Sequence, residues 1–159
     1  RRALCCQRQS ENVNDKRGVK MEKEMINQLI DTAIHQLKYS YTPYSNFKVG
    51  AALLAKNGQV YTGCNIESAS YSPSNCAERT AFFKAVSEGK RGFSAIAIVG
   101  GPAGKEPEDF CPPCGVCRQV MMEFCDPDHF EVILGDGEND ITYLLRDLLP
   151  KGFGPENIK

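Results

Sequence analysis

Residues 22–38 carry apolar side chains with a period of about 3.6, which predicts an amphipathic helix. The repeating apolar positions are Met25, Ile26, Leu29, Ile30, Ala33, Ile34 and Leu37. The pattern ends at "YTPYSN", where Pro43 and its polar neighbours predict a turn.

Four further apolar runs have the length and composition of β-strands. These predicted strands cover residues 47–55, 59–66, 93–101 and 129–136. "KNG" (56–58) joins the first two and predicts a hairpin turn. The third run is apolar throughout, as is typical of a strand buried on both faces of a sheet. "DITYLLRDLLP" (140–150) suggests a short strand or turn that leads into a short helix.

Two helices are predicted to follow loops. One spans about 76–88, with Asn75 as its N-cap and Gly89 as its stop, and the other spans about 115–124. The element order predicts an α/β fold with one mixed sheet of about five strands, flanked by helices. Both helix N-termini should lie at one edge of this sheet, which is the usual binding crevice of α/β folds.

Length and charge limit the class of protein. With 159 residues, 42% of them hydrophobic, the chain suits one ordinary domain. No apolar run approaches the roughly 18–20 residues of a membrane span. The net charge of -1 gives no reason to expect a nucleic-acid partner. We therefore expect a soluble, cytoplasmic protein that binds neither membranes nor nucleic acids.

Residues 1–20 differ from the remainder in charge, because they hold six basic and two acidic residues. We interpret them as a disordered leader or a vector-derived remnant before a start at Met21, with the folded domain covering 21–159. An Arg-rich organellar presequence is the alternative interpretation.

The cysteines favour a metal over disulfides. The chain has eight, of which Cys111, Cys114 and Cys117 lie within seven residues. Cys76, Cys114 and Cys117 would each lie at a helix N-terminus, where free N–H groups lower a thiol pKa. Three thiolates on zinc leave a fourth position open, as in catalytic zinc sites. This arrangement also predicts a reducing compartment.

Glu78 lies two residues after the first of these cysteines. A carboxylate beside a zinc ligand can take a proton from bound water and deliver it to a substrate. Three thiolates on a divalent cation leave a net charge of about −1. Arg79 is the candidate that compensates this charge through hydrogen bonds to the thiolates.

"CAE" (76–78) together with "PCGVC" (113–117) resembles the signature of the zinc-dependent nucleoside and nucleotide deaminases. "YTPYSNFKVGAALL", "GCNIESASY", "CAERTA", "PCGVCRQVM" and "LLPKGFGPENI" extend the likeness to the small, homotetrameric cytidine deaminases of the three-cysteine branch. The resemblance covers about residues 21–158. It implies a three-layer α/β/α fold, with one zinc per subunit held by Cys76, Cys114 and Cys117.

The same resemblance implies a reaction. Cytidine and 2′-deoxycytidine would be hydrolysed to uridine and 2′-deoxyuridine with release of ammonia, as part of pyrimidine salvage. Zinc-bound hydroxide would attack C4 of the base while Glu78 shuttles the protons.

The resemblance also assigns substrate contacts. Asn65 and Glu67 match a pair that binds the ribose 3′-hydroxyl, and Phe47 matches an aromatic that packs on the pyrimidine. Ala77 falls among the substrate-binding positions. Phe153 matches a residue that reaches the base in a neighbouring subunit, so that active sites would be shared across the tetramer. Tyr71 matches a tyrosine at these subunit contacts.

Some alternatives remain open at the level of sequence. Cys111 replaces a small residue, so it could pair with Cys114 in a shifted ligand register or add a fourth thiolate to a purely structural zinc. An antibiotic-modifying deaminase of the blasticidin type shares the zinc motifs but lacks the Asn65–Glu67 pair. A zinc-stabilised interaction domain without activity is the alternative from a different class.

Overall fold

A computed structural model describes residues 21–158 of the chain. The predicted leader, residues 1–20, lies outside the described residues. Within the described part, no helix has the length and apolar character needed to cross a membrane.

The helices and strands of the described chain follow one another in the predicted order. The α-helices are α1 (Lys23–Gln36), α2 (Ala77–Ser87), α3 (Gly115–Phe124) and α4 (Leu145–Leu148). The strands are β1 (Phe47–Ala55), β2 (Val60–Cys64), β3 (Phe93–Pro102), β4 (Glu131–Gly135) and β5 (Asp140–Leu144). Short 3₁₀ helices follow at Leu37–Tyr39 and Pro155–Ile158.

The five strands form one sheet in the order β2-β1-β3-β4-β5. β1 pairs antiparallel with both β2 and β3, β3 and β4 run parallel, and β5 returns antiparallel to β4. The predicted mixed sheet is thereby confirmed. The ambiguous segment after residue 139 forms both a strand and a short helix.

Alternation along β3 divides the core into two layers. Ala95, Ala97 and Val99 face α1, whereas Ile96 and Ile98 face the layer that contains α2 and α3. All five side chains are fully buried. This alternation is the period of two expected for a strand with a helix layer on each face, and it confirms the three-layer α/β/α architecture.

Helix α1 forms one of the two outer layers. Its buried side chains are Ile26, Leu29, Ile30 and Ala33, whereas Met25, which the sequence pattern included in the apolar face, is exposed. The buried stripe is therefore narrower than predicted, because only residues facing β1, β3 and β4 are covered.

The predicted N-cap of α2 was one residue too early. Cys76, not Asn75, is the N-cap, and its backbone is extended. Asn75 instead pairs its backbone with Ile66 and donates its side-chain amide to Thr80 Oγ1 at 3.1 Å. Since this bridge holds residue 75 in an extended conformation, the helix begins after Cys76.

Glycine at position 63 permits the close approach of α2 to β2. A Cβ at this position would overlap the carbonyl oxygen of Ala77 and would lie 2.6 Å from the Ala81 nitrogen. These backbone atoms belong to the first turns of α2, which carry Cys76 and Glu78. Helix α2 can therefore pack this close to β2 only because residue 63 has no side chain.

We predict that Gly63→Ala lowers the free energy of unfolding by about 1–3 kcal/mol, the usual cost of overpacking. Urea denaturation measures this loss. Gly92→Ala is the control, because a Cβ there would meet only the flexible side chain of Lys56, at 3.3 Å or more. Equal urea midpoints for the two variants would contradict the assigned role of Gly63.

Candidate zinc centre and active site

Three cysteine sulfurs converge where α2 and α3 begin. Cys76 and Cys114 are the N-cap residues of the two helices, and Cys117 lies in the first turn of α3. The Sγ atoms of Cys76 and Cys114 are 3.8 Å apart, and those of Cys114 and Cys117 are 3.5 Å apart. Within residues 21–158, these three form the one cluster of His, Cys, Asp or Glu side chains suited to a metal.

The spacing of the sulfurs fits zinc. A tetrahedral zinc with Zn–S bonds of about 2.3 Å holds its sulfurs about 3.8 Å apart. A disulfide would require about 2.05 Å, and all six cysteines of the described chain are free. The donor set, which consists of three soft thiolate ligands, also matches zinc.

The structure leaves Cys111 outside this cluster. Its side chain packs on the backbone of β3, where a Cβ on Gly100 would lie 2.9 Å from the Cys111 sulfur. Burial raises the pKa of Cys111 to about 11. The geometry thus gives no support to a shifted ligand register or a fourth thiolate.

Hydrogen bonds stabilise a thiolate at Cys76. The Cys117 thiol, then Arg79 and the Cys114 thiol, lower the pKa of Cys76 to about 5. The Nη2 of Arg79 lies 3.8 Å from this sulfur and also donates to the Ser74 carbonyl at 3.2 Å. Arg79 therefore lies where the sequence analysis expected a compensating charge.

Glu78 is buried beside the sulfurs, with only 4% of its surface exposed. Burial, with a smaller contribution from the negative charge of Cys76, raises the pKa of Glu78 to about 7. A carboxyl group with this pKa can both accept and release a proton near neutral pH. Ala77, between Glu78 and Cys76, is completely buried.

Asn65 immediately follows β2 and binds the first residues of β1. Its Oδ1 accepts a hydrogen bond from the Val49 N–H at 2.9 Å, and its Nδ2 donates to the Phe47 carbonyl at 2.9 Å. The sequence predicts only a substrate contact for Asn65, so this structural role is seen only in the folded chain. Its partners are main-chain atoms, which leave no signal in a sequence.

Glu67 organises the turn before β1. Its Oε2 accepts hydrogen bonds from the main-chain N–H groups of Tyr44 and Ser45, at 3.0 and 3.2 Å. Hydrogen bonding from the Ser45 side chain, with smaller contributions from these N–H groups, lowers the pKa of Glu67. The turn that Glu67 holds leads into Phe47, a residue that is 39% exposed.

Phe153 and Tyr71 are both largely exposed, at 61% and 70%. The Phe153 carbonyl accepts a hydrogen bond from Gln119 Nε2 at 2.8 Å. Tyr71 has a positive φ of 57° and packs edge-on against Tyr44, with ring centroids 5.9 Å apart. In a single chain both residues therefore leave most of their surface open to solvent.

Comparison with known proteins places the chain in a family. Residues 23–132 match the model of the cytidine and deoxycytidylate deaminase zinc-binding region. The chain therefore belongs to the cytidine and deoxycytidylate deaminase family, a group of zinc-dependent hydrolases.

Individual relatives agree over most of their length. The cytidine deaminase of Halalkalibacterium halodurans is 50% identical over 139 residues, which is 87% of this chain and 98% of that protein. A probable cytidine deaminase of Dictyostelium discoideum is 44% identical over 87% of this chain and 90% of its own length. The crystal structure of cytidine deaminase from Burkholderia pseudomallei superposes with a TM-score of 0.73 at 45% identity, covering 84% of this chain and all of that one.

We predict that Cys117→Ser abolishes zinc binding, whereas Cys111→Ser retains one zinc per chain, because only Cys117 belongs to the sulfur cluster. Metal analysis of the purified variants measures the ratio of zinc to protein. Cys125→Ser is the matched control, since it removes another buried thiol that lies outside the cluster. Zinc retained by Cys117→Ser and lost by Cys111→Ser would show that the ligand register is wrong.

Proposed function

We propose that the chain hydrolyses cytidine and 2′-deoxycytidine to uridine and 2′-deoxyuridine, with release of ammonia. The observation that carries this proposal is the convergence of three thiols beside the buried carboxyl group of Glu78. The relatives named cytidine deaminase support the choice of substrate. We further propose a place in pyrimidine salvage, which follows from the chemistry of the substrate. We also propose a cytoplasmic location, which the free cysteines of the described chain favour.

Cys76, Cys114 and Cys117 would hold the zinc. When bound there, zinc supplies a Lewis acid that lowers the pKa of water and so provides a nucleophile near neutral pH. Arg79 offsets the negative charge of the thiolates through its contact with Cys76. This compensation leaves the metal more electron-poor than three uncompensated thiolates would.

Glu78 carries the protons. It takes one from the water that attacks C4 of the base and delivers it to N3. It then takes the remaining proton from the new C4 hydroxyl group and passes it to the departing amino group, so that the C4–N bond breaks, the C4 carbonyl forms and ammonia leaves. Its pKa of about 7 suits both acceptance and donation, and its burial keeps bulk water from competing for the proton.

Asn65 and Glu67 would bind the ribose 3′-hydroxyl with the atoms that the protein leaves available. Glu67 uses Oε2 for the turn amides, so Oε1 can accept a hydrogen bond from the sugar. Asn65 uses one amide hydrogen for the Phe47 carbonyl, so the second can be donated. Phe47 would pack on the pyrimidine, and Ala77 would belong to the substrate-binding positions.

The assembly we propose is a homotetramer of 17.6 kDa chains. Cys114 is exposed in the single chain, so the zinc centre would open to solvent at the sheet edge. Attack by hydroxide benefits from a water-poor site. Phe153 of a neighbouring subunit would therefore cover the base, with Tyr71 at the same contact. We likewise propose that residues 21–159 form the catalytic domain.

We expect the absorbance change of deamination when the zinc-loaded protein receives cytidine or 2′-deoxycytidine. Cytosine and CMP test whether ribose and an unphosphorylated 5′ position are required. Absence of turnover with all four compounds would favour a zinc-stabilised domain without activity. Turnover of blasticidin in their place would favour the antibiotic-modifying class.

In the same assay, Glu78→Gln should retain zinc and fold but lose at least the ~10²–10⁴-fold typical of a removed general acid or base. Arg79→Gln should lose less, because the groups that transfer protons stay in place. Glu88→Gln, at the far end of α2 and exposed, is the control. A nearly normal kcat in Glu78→Gln would refute the proton-shuttle assignment.

We predict that Phe153→Ala mainly raises KM, by a factor corresponding to the ~1–3 kcal/mol of a lost base stack. Zinc content should stay at one per chain. Phe83→Ala, which removes another exposed ring, is the control for a general loss of aromatic surface. Sedimentation should give a tetramer, and a fully active monomer would overturn the shared-site proposal.

A further inference from the structure

Arg118 joins two distant segments of the chain to α3. It directly follows Cys117, and its Nε donates to the Pro113 carbonyl at 2.8 Å. Its Nη1 donates to the Leu148 carbonyl, also at 2.8 Å. The planar guanidinium fixes the directions of its donors, so these two carbonyls are held in one relative position.

The first of these carbonyls belongs to the loop that presents the sulfurs. Pro113 is fully buried and immediately precedes Cys114. A single side chain therefore spans the segment from Pro113 to Arg118, within which both Cys114 and Cys117 lie. The position of the Pro113 peptide and the separation of the two sulfurs are consequently not independent.

The second carbonyl belongs to the C-terminal segment, which we define as residues 148–153. This segment begins at the last residue of α4 and includes Lys151 at a positive φ of 57°. Arg118 holds its beginning at Leu148, and the neighbouring Gln119 holds its end through the Phe153 carbonyl at 2.8 Å. Two consecutive residues of α3 thus fasten both ends of the segment that carries Phe153.

We propose that Arg118 is a positioning residue that couples zinc occupancy to the order of the C-terminal segment. This inference rests on the proposed assignment of Cys114 and Cys117 as zinc ligands. Zinc holds the two sulfurs together and so fixes the loop that places the Pro113 carbonyl on Arg118. The same guanidinium then holds Leu148, and the coupling is reciprocal by thermodynamic linkage.

Amide hydrogen exchange by mass spectrometry tests the coupling in the full chain. In the wild type, removal of zinc by a chelator should speed exchange in residues 148–153, whereas peptides from β3 should be unchanged. In Arg118→Gln, exchange in 148–153 should be fast with or without zinc. If residues 148–153 of the wild type exchange at the same rate with and without zinc, the proposal is overturned, and no variant is needed for this test.

The rate at which a chelator removes zinc tests the reverse direction. Arg118→Gln should release zinc about 10–100-fold faster, as is typical when a group that orients metal ligands is lost. Arg118→Lys should be intermediate, because a single ammonium cannot hold both carbonyls in the same geometry. Gln119→Ala should leave zinc release unchanged while freeing residue 153. Release from Arg118→Gln at the wild-type rate would contradict the proposal.

Arg91→Gln is the matched control. The Nη1 of Arg91 also donates to two main-chain carbonyls, of Val86 and Lys90, at 2.7 and 2.8 Å. These two carbonyls lie near the end of α2, away from the segment 113–118 that contains Cys114 and Cys117. Amide exchange in residues 148–153 and the rate of zinc release should therefore match the wild type.

Cys114→Ser separates failure of the coupling from failure of the proposed function. If Cys114→Ser keeps one tightly held zinc, the ligand assignment itself is wrong. If it loses zinc while Arg118→Gln behaves like Arg91→Gln, only the coupling is refuted.

Discussion

The site depends on two helix N-termini that meet at one end of the sheet. Cys76 and Cys114 occupy equivalent N-cap positions, and their sulfurs lie 3.8 Å apart although 38 positions separate them in the chain. Free N–H groups at both helix starts favour negative charge on these sulfurs. This contact needs α2 close to β2, which Gly63 permits. Every chemical feature of the site is built around this meeting point.

The concentration of ionisable groups where α2 and α3 begin has a free-energy cost. Three thiols and a carboxyl group lie together in a partly buried space, and burial disfavours ionisation. Arg79 offsets part of this cost at Cys76, and Glu78 responds through a pKa raised to about 7. An environment that resists charge thereby gives Glu78 a proton affinity suited to acid and base chemistry at neutral pH.

The substrate side of the site is formed by side chains that also hold the fold. Asn65 fixes the start of β1, and Glu67 fixes the turn before it. Each side chain keeps further hydrogen-bonding capacity beyond these contacts. Substitution of either residue would therefore alter both the local backbone and the proposed ribose contacts, and a loss of activity alone could not separate the two.

The sequence by itself determined the local elements and the identity of the reactive groups. Helix and strand periods are short-range properties, so α1, α2, α3 and the strands β1 to β4 could be predicted, and the cysteine spacing indicated zinc. Tertiary structure decided what depends on long-range pairing. The bridge between Ile66 and Asn75 moved the N-cap to Cys76, and packing on Gly100 kept Cys111 outside the cluster. The partners of Asn65, Glu67 and Arg118 are main-chain atoms from distant segments, and every residue type has such atoms, so only the folded chain specifies them.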